Sequence, residues 1–136
     1  MPTRKFRVYA LSTASCRNLA AVGEPGAFIE GRSRFSEIGT INLIIAVNFH
    51  FTHEAMLEAM AIATEAKVRV LYELNLRSRQ TNQPATGTGT DCVAIASGHE
   101  RRYRFCGKHT KWGELIGKTC VESVGEAVKA AISPQT

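Results

Sequence analysis

The clearest chemical pattern in this chain is a seven-residue run, Ala-Thr-Gly-Thr-Gly-Thr-Asp, over residues 85–91. Glycine lets a backbone approach a ligand closely, and threonine hydroxyls both donate and accept hydrogen bonds. The run precedes an apolar stretch over 92–96 and is itself too polar to make good core. It therefore predicts a loop in the wall of a binding site, with these candidate binding residues: Thr86, Gly87, Thr88, Gly89 and Thr90.

Three other segments add reactive side chains: Gly-Thr-Ile-Asn at 39–42, Ala-Thr-Glu-Ala-Lys at 63–67, and Lys-His-Thr-Lys-Trp-Gly-Glu-Leu-Ile-Gly at 108–117. Together they supply hydroxyls, carboxylates, ammonium groups and one imidazole. These are the groups that nucleophilic and acid–base chemistry uses. The candidate binding residues in these segments are Asn42, Glu65, Lys67, Lys108, Thr110, Lys111 and Glu114.

Each of these residues also has an ordinary structural interpretation. Thr40 is a favourable strand residue, and Asp91 is typical of a residue that caps a turn. Thr110 fits the N-cap of a helix, and Glu65 fits one half of a surface ion pair. At this point both interpretations stay open.

No metal or nucleotide motif is complete. His50 and His53 have a spacing that suits two metal ligands, but Thr52 between them is a predicted helix cap and no third ligand is evident. The glycine–threonine run is not a P-loop, because it lacks Gly-Lys-Ser/Thr and precedes a strand. The four cysteines form no C-x-x-C pair. The sequence therefore indicates no metal and no bound cofactor.

Hydrophobic periodicity predicts the elements that must position these groups. The predicted strands cover 4–12, 38–47, 91–97 and 103–106, and the predicted helices cover about 53–75 and 110–132. The connection over 13–37 is mostly irregular, with a short helical turn near 16–22. We expect the strand over 38–47 to be buried on both faces and the strand over 91–97 to bury Cys92. The order β-β-α-β-β-α predicts an α+β fold, a two-layer mixed β-sheet with two main helices packed on one face. The other face of the sheet needs a cover, which predicts a homo-oligomer.

The 136 residues and 14.9 kDa suit one domain over 1–136. The segment from Arg77 to Lys111 carries a charge excess equal to the net +5 of the chain, which indicates either a solvated basic surface or an anionic partner. No segment resembles a secretory signal or a membrane span, and unpaired cysteines favour the cytoplasm.

The four segments over 39–42, 63–67, 85–91 and 108–117, in this order, resemble the adenosylcobinamide amidohydrolase family of cobamide salvage. Trp112 stands where the family usually has leucine. The resemblance covers most of residues 38–131, which corresponds to the C-terminal part of the family. Members usually carry a substantial amino-terminal portion, and about 37 residues occupy that position here, so the resemblance indicates a chain shortened at that end.

The resemblance implies hydrolysis of the amide that joins the aminopropanol arm of adenosylcobinamide to the corrin ring. It makes a corrinoid the substrate and, through the reactive residues of its motifs, makes Thr40, Asp91 and His109 the candidate catalytic groups. We expect Thr40, the loop over 86–91 and the helix start over 108–114 to line one pocket at a sheet edge. The alternatives are a corrinoid- or nucleotide-binding protein without hydrolysis, and, less favoured, a nucleic-acid-binding module on the basic stretch 101–111.

Overall fold

The fold consists of seven strands and two long helices in the part of the chain that the structure, a computed structural model, describes: residues 5–26 and 39–134. The elements, in chain order, are β1 (Val8–Ala14), β2 (Leu19–Ala20), β3 (Ile41–Val47), β4 (Phe49–Phe51), α1 (His53–Glu73), β5 (Gly87–Thr88), β6 (Cys92–Ala96), β7 (Glu100–Tyr103) and α2 (Lys111–Ile132).

The main sheet has three strands, with β3 in the centre. It pairs antiparallel with β1 and parallel with β6. The apolar residues that alternate along β3 on one face, Ile41, Leu43, Ile45 and Val47, are buried in the core. Both helices pack on this face, α2 mainly against β1 and α1 against β6, and they also pack against each other. The predicted α+β arrangement, a mixed sheet with two helices on one face, is confirmed.

Two small sheets extend the main one. Strand β2 pairs antiparallel with β5, and β4 pairs parallel with β7. The short helical turn expected near 16–22 is wrong, because Leu19 and Ala20 pair with Thr88 and Gly87. That partner lies nearly 70 residues away in the chain, so local patterns could not indicate it.

Threonine caps begin both helices. The Thr52 hydroxyl accepts the N–H of Ala55 at 3.2 Å, and the Thr110 hydroxyl accepts that of Gly113 at 3.0 Å. These bonds satisfy amides that have no partner inside the helix. The long helices expected over 53–75 and 110–132 are confirmed to within two residues.

Some expected boundaries and burials are wrong. Strand β1 covers Val8–Ala14 and β7 covers Glu100–Tyr103, not 4–12 and 103–106. Strand β3 is not buried on both faces, since Ile44 is 49% exposed. Cys92, expected in the core, is also exposed. Ile44 and Cys92 are exposed for the same reason: the helices cover one face of the sheet, and nothing described by the structure covers the other.

No helix in the described parts of the chain has the length and apolar character needed to span a membrane. Residues 27–37 of the connection that we expected to be irregular lie outside the described residues.

Candidate active site

Asp91 stands at the amino-terminal end of β6, beside the amino-terminal end of the parallel strand β3. Its carboxylate accepts the N–H of Ile41 at 2.9 Å and the N–H of Thr88 at 3.0 Å, and it also accepts the Thr88 hydroxyl. The ammonium group of Lys67, on α1, lies 2.6 Å from its Oδ2. Three segments that are distant in the sequence therefore meet at one carboxylate.

The Lys67–Asp91 pair is largely withdrawn from solvent, with side chains 13% and 12% exposed. Burial opposes ionisation of Asp91. The hydrogen bonds from Lys67, from the Thr88 hydroxyl and from the two backbone amides outweigh it and hold the pKa of Asp91 below its ordinary value. Asp91 is thus a stable anion that orients Lys67 and the loop before β6.

Two glycines allow the surrounding loops to come this close. A Cβ at Gly87 would lie 2.2 Å from Oδ2 of Asp91 and 2.9 Å from Nζ of Lys67. A Cβ at Gly39 would lie 2.8 Å from the backbone nitrogen of Asn18. Any larger residue at either position would displace the groups that form the site.

Thr40 lies beside Asp91 and fastens the start of β3 to the loop. Its hydroxyl donates to the carbonyl of Thr90 at 2.8 Å, and the Thr90 hydroxyl donates back to the carbonyl of Gly39 at 3.0 Å. Asn42 continues the network, because its amide donates to the Thr13 hydroxyl at 3.2 Å. Thr40 is only partly buried.

Residues 15–18 form a further wall that sequence reasoning missed. The N–H of Ser15 donates to the carbonyl of Thr40 at 2.8 Å. Burial raises the pKa of the Cys16 thiol, and the negative charge of Asp91 raises it further. The signal available was the polar run Ser-Cys-Arg-Asn directly after the first predicted strand.

A cavity of about 410 Å³ adjoins this wall. Ser15 and Cys16 line it, Ala131 and Ile132 at the end of α2 close it, and neither Thr40 nor Asp91 is among its lining residues. Its remaining lining residues are Ala14, Arg17 and Arg79. The volume falls in the range of small-molecule pockets.

The rest of the glycine–threonine run is held in place by contacts with residues 18–22. Gly87 and Thr88 form β5, and the Thr86 hydroxyl accepts the N–H of Val22 at 2.8 Å. Gly89 faces the side-chain amide of Asn18, 3.2 Å from where a Cβ would lie. The loop is held on both sides, so its threonines are fixed in orientation.

The start of α2 lines a second cavity, of about 390 Å³ between α1 and α2, which we call the helix groove. Its lining residues include Glu65, Lys108 and Glu114. Lys108 pairs with Glu65 at 2.7 Å, and Glu114 with Lys111 and Lys118 at 2.8 and 2.7 Å. Hydrogen bonds from those two ammonium groups lower the pKa of Glu114 to about 2. His109 is exposed beside the groove.

The start of α2 lies at the opposite end of the sheet from the site around Asp91. Ser123, in the middle of α2, is 2.7 Å from Ser12 of β1, and α2 begins twelve residues earlier, about 18 Å away along its axis. There Trp112 packs near Phe49, beyond the far end of β3. The expectation that one pocket holds residue 40, the loop and the helix start is therefore wrong within one chain. The sequence does not reveal that α2 brings its last turn, not its first, to Cys16.

The segment over 63–67 contributes side chains to both the site around Asp91 and the helix groove. Glu65 and Lys67 are two residues apart and so point about 200° apart around α1. Lys67 consequently reaches Asp91, while Glu65 reaches Lys108 across the helix groove.

Among the described residues, no group of three or more histidine, cysteine, aspartate or glutamate side chains is arranged to hold a metal ion. His50, His53 and His99 line a common cavity near the start of α1 without forming such a group.

Comparison with known proteins supports the interpretation of these segments. The family model described as adenosylcobinamide amidohydrolase matches residues 2–136. The chain belongs to this family. The adenosylcobinamide amidohydrolase match includes residues 2–37, so the expectation that only the C-terminal part of the family is represented was too narrow.

An uncharacterized protein of Methanocaldococcus jannaschii is 43% identical to this chain over 93 residues. The alignment covers 68% of this chain and 36% of that protein, so the chain spans about a third of the relative's length. No solved structure matches.

Proposed function

We propose that this chain hydrolyses the amide between the corrin ring and the aminopropanol arm of adenosylcobinamide, giving adenosylcobyric acid and aminopropanol or its phosphate. Its membership of the adenosylcobinamide amidohydrolase family supports the reaction class. The observation that carries the proposal is the junction at Asp91, where Ile41, Lys67 and Thr88 are bonded to one carboxylate. These partners come from three of the four segments that the resemblance identified.

In the proposed reaction, the Thr40 hydroxyl orients a water that attacks the amide carbonyl, and the positive charge of Lys67 stabilises the oxyanion. As the C–N bond breaks, Lys67 gives a proton to the leaving amine and takes one back from the attacking water, so the products are the carboxylic acid and the amine. Asp91 is proposed to keep Lys67 charged and oriented. Its four hydrogen bonds and lowered pKa suit this role better than that of a general base.

We propose that the substrate is held by the residues assigned from the sequence: Asn42, Glu65, Lys67, Thr86, Gly87, Thr88, Gly89, Thr90, Lys108, Thr110, Lys111 and Glu114. Those near Asp91 serve the amide arm. A cavity of about 410 Å³ has room for that arm but not for a corrin macrocycle, so the ring lies outside it. His109 and the helix groove are proposed to act only through a distal part of this large substrate or through a second subunit.

The test is the release of aminopropanol from adenosylcobinamide, followed by mass spectrometry together with the corrinoid product. We expect Thr40→Ala to lower the rate about 100-fold or more, and Thr40→Ser to retain much of it. Thr64→Ala is the matched control, since within the described parts of the chain that exposed hydroxyl bonds only to the Met60 carbonyl of its own helix. His109→Ala should have a smaller effect than Thr40→Ala.

A wild-type protein that releases no aminopropanol would contradict the proposal. If it still changes the visible absorbance of adenosylcobinamide on mixing, the alternative of a corrinoid-binding protein without hydrolysis holds. The saturation of the hydrogen bonds of Asp91 is the observation that favours this alternative.

We further propose that the protein acts in the cytoplasm as a homo-oligomer. The free state of Cys16, Cys92, Cys106 and Cys120 supports a reducing compartment. The open face of the sheet supports association between subunits.

A further inference from the structure

The face of the main sheet opposite the helices carries nine outward-pointing residues, three from each strand. The pairing registers arrange them in three rows, which together we call the open sheet face. The rows are Thr13–Asn42–Cys92, Leu11–Ile44–Ala94 and Tyr9–Ala46–Ala96.

The open sheet face has no charged residue, although the chain is 21% charged and has a net charge of +5. Tyr9, Leu11 and Ile44 are 64%, 65% and 49% exposed. Sheets with one solvated face usually alternate apolar and polar residues, and parallel pairs such as β3–β6 are usually covered on both faces. The rows Leu11–Ile44–Ala94 and Tyr9–Ala46–Ala96 therefore form an uncharged apolar surface that association would remove from water.

We propose that a second copy of this chain covers the open sheet face, packing sheet against sheet about 10 Å apart. The face is complementary to itself. Strand β1 presents the large side chains of Tyr9 and Leu11, whereas β6 presents small ones such as Ala94 and Ala96. A two-fold axis parallel to the strands and passing over Ile44 lays the β1 of each copy over the β6 of the other.

Charge supports a second copy as the occupant. A second copy carries the same net charge of +5, and a face without charged side chains lets two copies meet without bringing like charges together. An acidic partner would gain no ion pair on this face and would associate better with the arginines of β7 and its flank, Arg101, Arg102 and Arg104.

The area of the open sheet face determines how tightly two copies are expected to bind. The strands have seven, seven and five residues, which gives a face of at most about 14 Å by 23 Å, roughly 330 Å². Standard stable interfaces bury about 800 Å² per partner. The association is therefore a reversible dimer that depends on protein concentration, and it does not depend on the proposed amide hydrolysis.

The outer side of α1 offers a matched control surface. Leu57 on α1 is 67% exposed, almost the same as Leu11 on the open sheet face, and the exposed Met60 follows it three residues later on the same side of the helix. Leu11→Lys and Leu57→Lys therefore add the same charge and remove the same side chain from two different exposed surfaces.

The experiment is sedimentation velocity of the wild type and both variants, from low micromolar to several hundred micromolar protein. We expect the wild type to show a monomer–dimer equilibrium. Leu11→Lys should raise the dissociation constant about tenfold or more, because each dimer contains the substitution twice. Leu57→Lys should leave it unchanged.

A second measurement needs no substitution. Cys92 is exposed on the open sheet face, whereas Cys106 and Cys120 are buried. Its rate of alkylation, followed by peptide mass spectrometry, should fall as the protein concentration rises. A wild type that stays monomeric, a dimer that Leu57→Lys weakens and Leu11→Lys does not, or a Cys92 rate independent of concentration would each overturn the proposal.

Discussion

Two ion pairs of nearly equal length differ greatly in their surroundings. Lys67 and Asp91 are 2.6 Å apart with side chains 13% and 12% exposed, whereas Lys108 and Glu65 are 2.7 Å apart with side chains 69% and 57% exposed. Exposed pairs contribute about 0–1 kcal/mol because water and salt screen them. Removing one partner of a buried pair leaves a charge without compensation, which costs about 3–5 kcal/mol. Burial, not distance, therefore makes the site around Asp91 the more rigid of the two places.

The largest expected effect comes from removing each lysine in turn. Lys67→Met should lower the free energy of unfolding by about 3 kcal/mol, toward the lower end for buried pairs because Asp91 keeps three other hydrogen bonds. Lys108→Met should lower it by less than about 1 kcal/mol. Urea unfolding followed by circular dichroism measures both. Equal losses in the two variants would show that the pairs do not differ in this way.

The double variant Lys67→Met/Asp91→Asn isolates the interaction itself. If the pair is coupled, the double variant should be more stable than the sum of the two single losses predicts. Additive losses would mean that Lys67 stabilises the fold through its aliphatic stem alone.

A smaller effect on stability is expected from adding one methyl group at each of two glycines, Gly87 and Gly125. Gly87→Ala should cost about 1–3 kcal/mol, because its Cβ would overlap Oδ2 of Asp91. Gly125→Ala, inside α2, meets no atom of the described residues within 4 Å and should stabilise the protein by about 0.5–1 kcal/mol. Thermal unfolding of both variants measures the contrast, and a Gly87→Ala protein as stable as the wild type would show that the loop relaxes freely.

The sequence was most informative about features that depend on residues close together in the chain. Thr52 and Thr110 identified both helix starts because capping is a short-range property. The apolar run before Asn48 identified β3, but an unbroken run carries no alternation from which to tell a covered face from an open one. The exposure of Ile44 therefore could not be foreseen.

Only part of the candidate site could be predicted, because the rest depends on contacts between residues far apart in the chain. Thr40 and Asp91 could be placed together because both stand at the starts of neighbouring predicted strands. Whether α2 brings its first or its last turn to that end depends on its direction across the sheet, which is a long-range property. The contribution of Cys16 was missed because it follows a strand whose end the pattern placed two residues too early.

The smallest effect, acid titration at different salt concentrations, sharpens the comparison without any substitution in the site. The pKa of Asp91 is lowered in the folded state, so its contribution to stability is present above the ordinary pKa of aspartate. That contribution is lost as the pH falls through the lowered value. The pKa of Glu114, about 2, is also depressed, but its side chain and those of its lysine partners are exposed. Carboxylate NMR titrations at low salt and at about 1 M salt should therefore show the pKa of Glu114 rising toward its ordinary value while that of Asp91 moves little. Equal shifts of the two carboxyl groups would mean that water reaches Asp91 as freely as it reaches the helix groove.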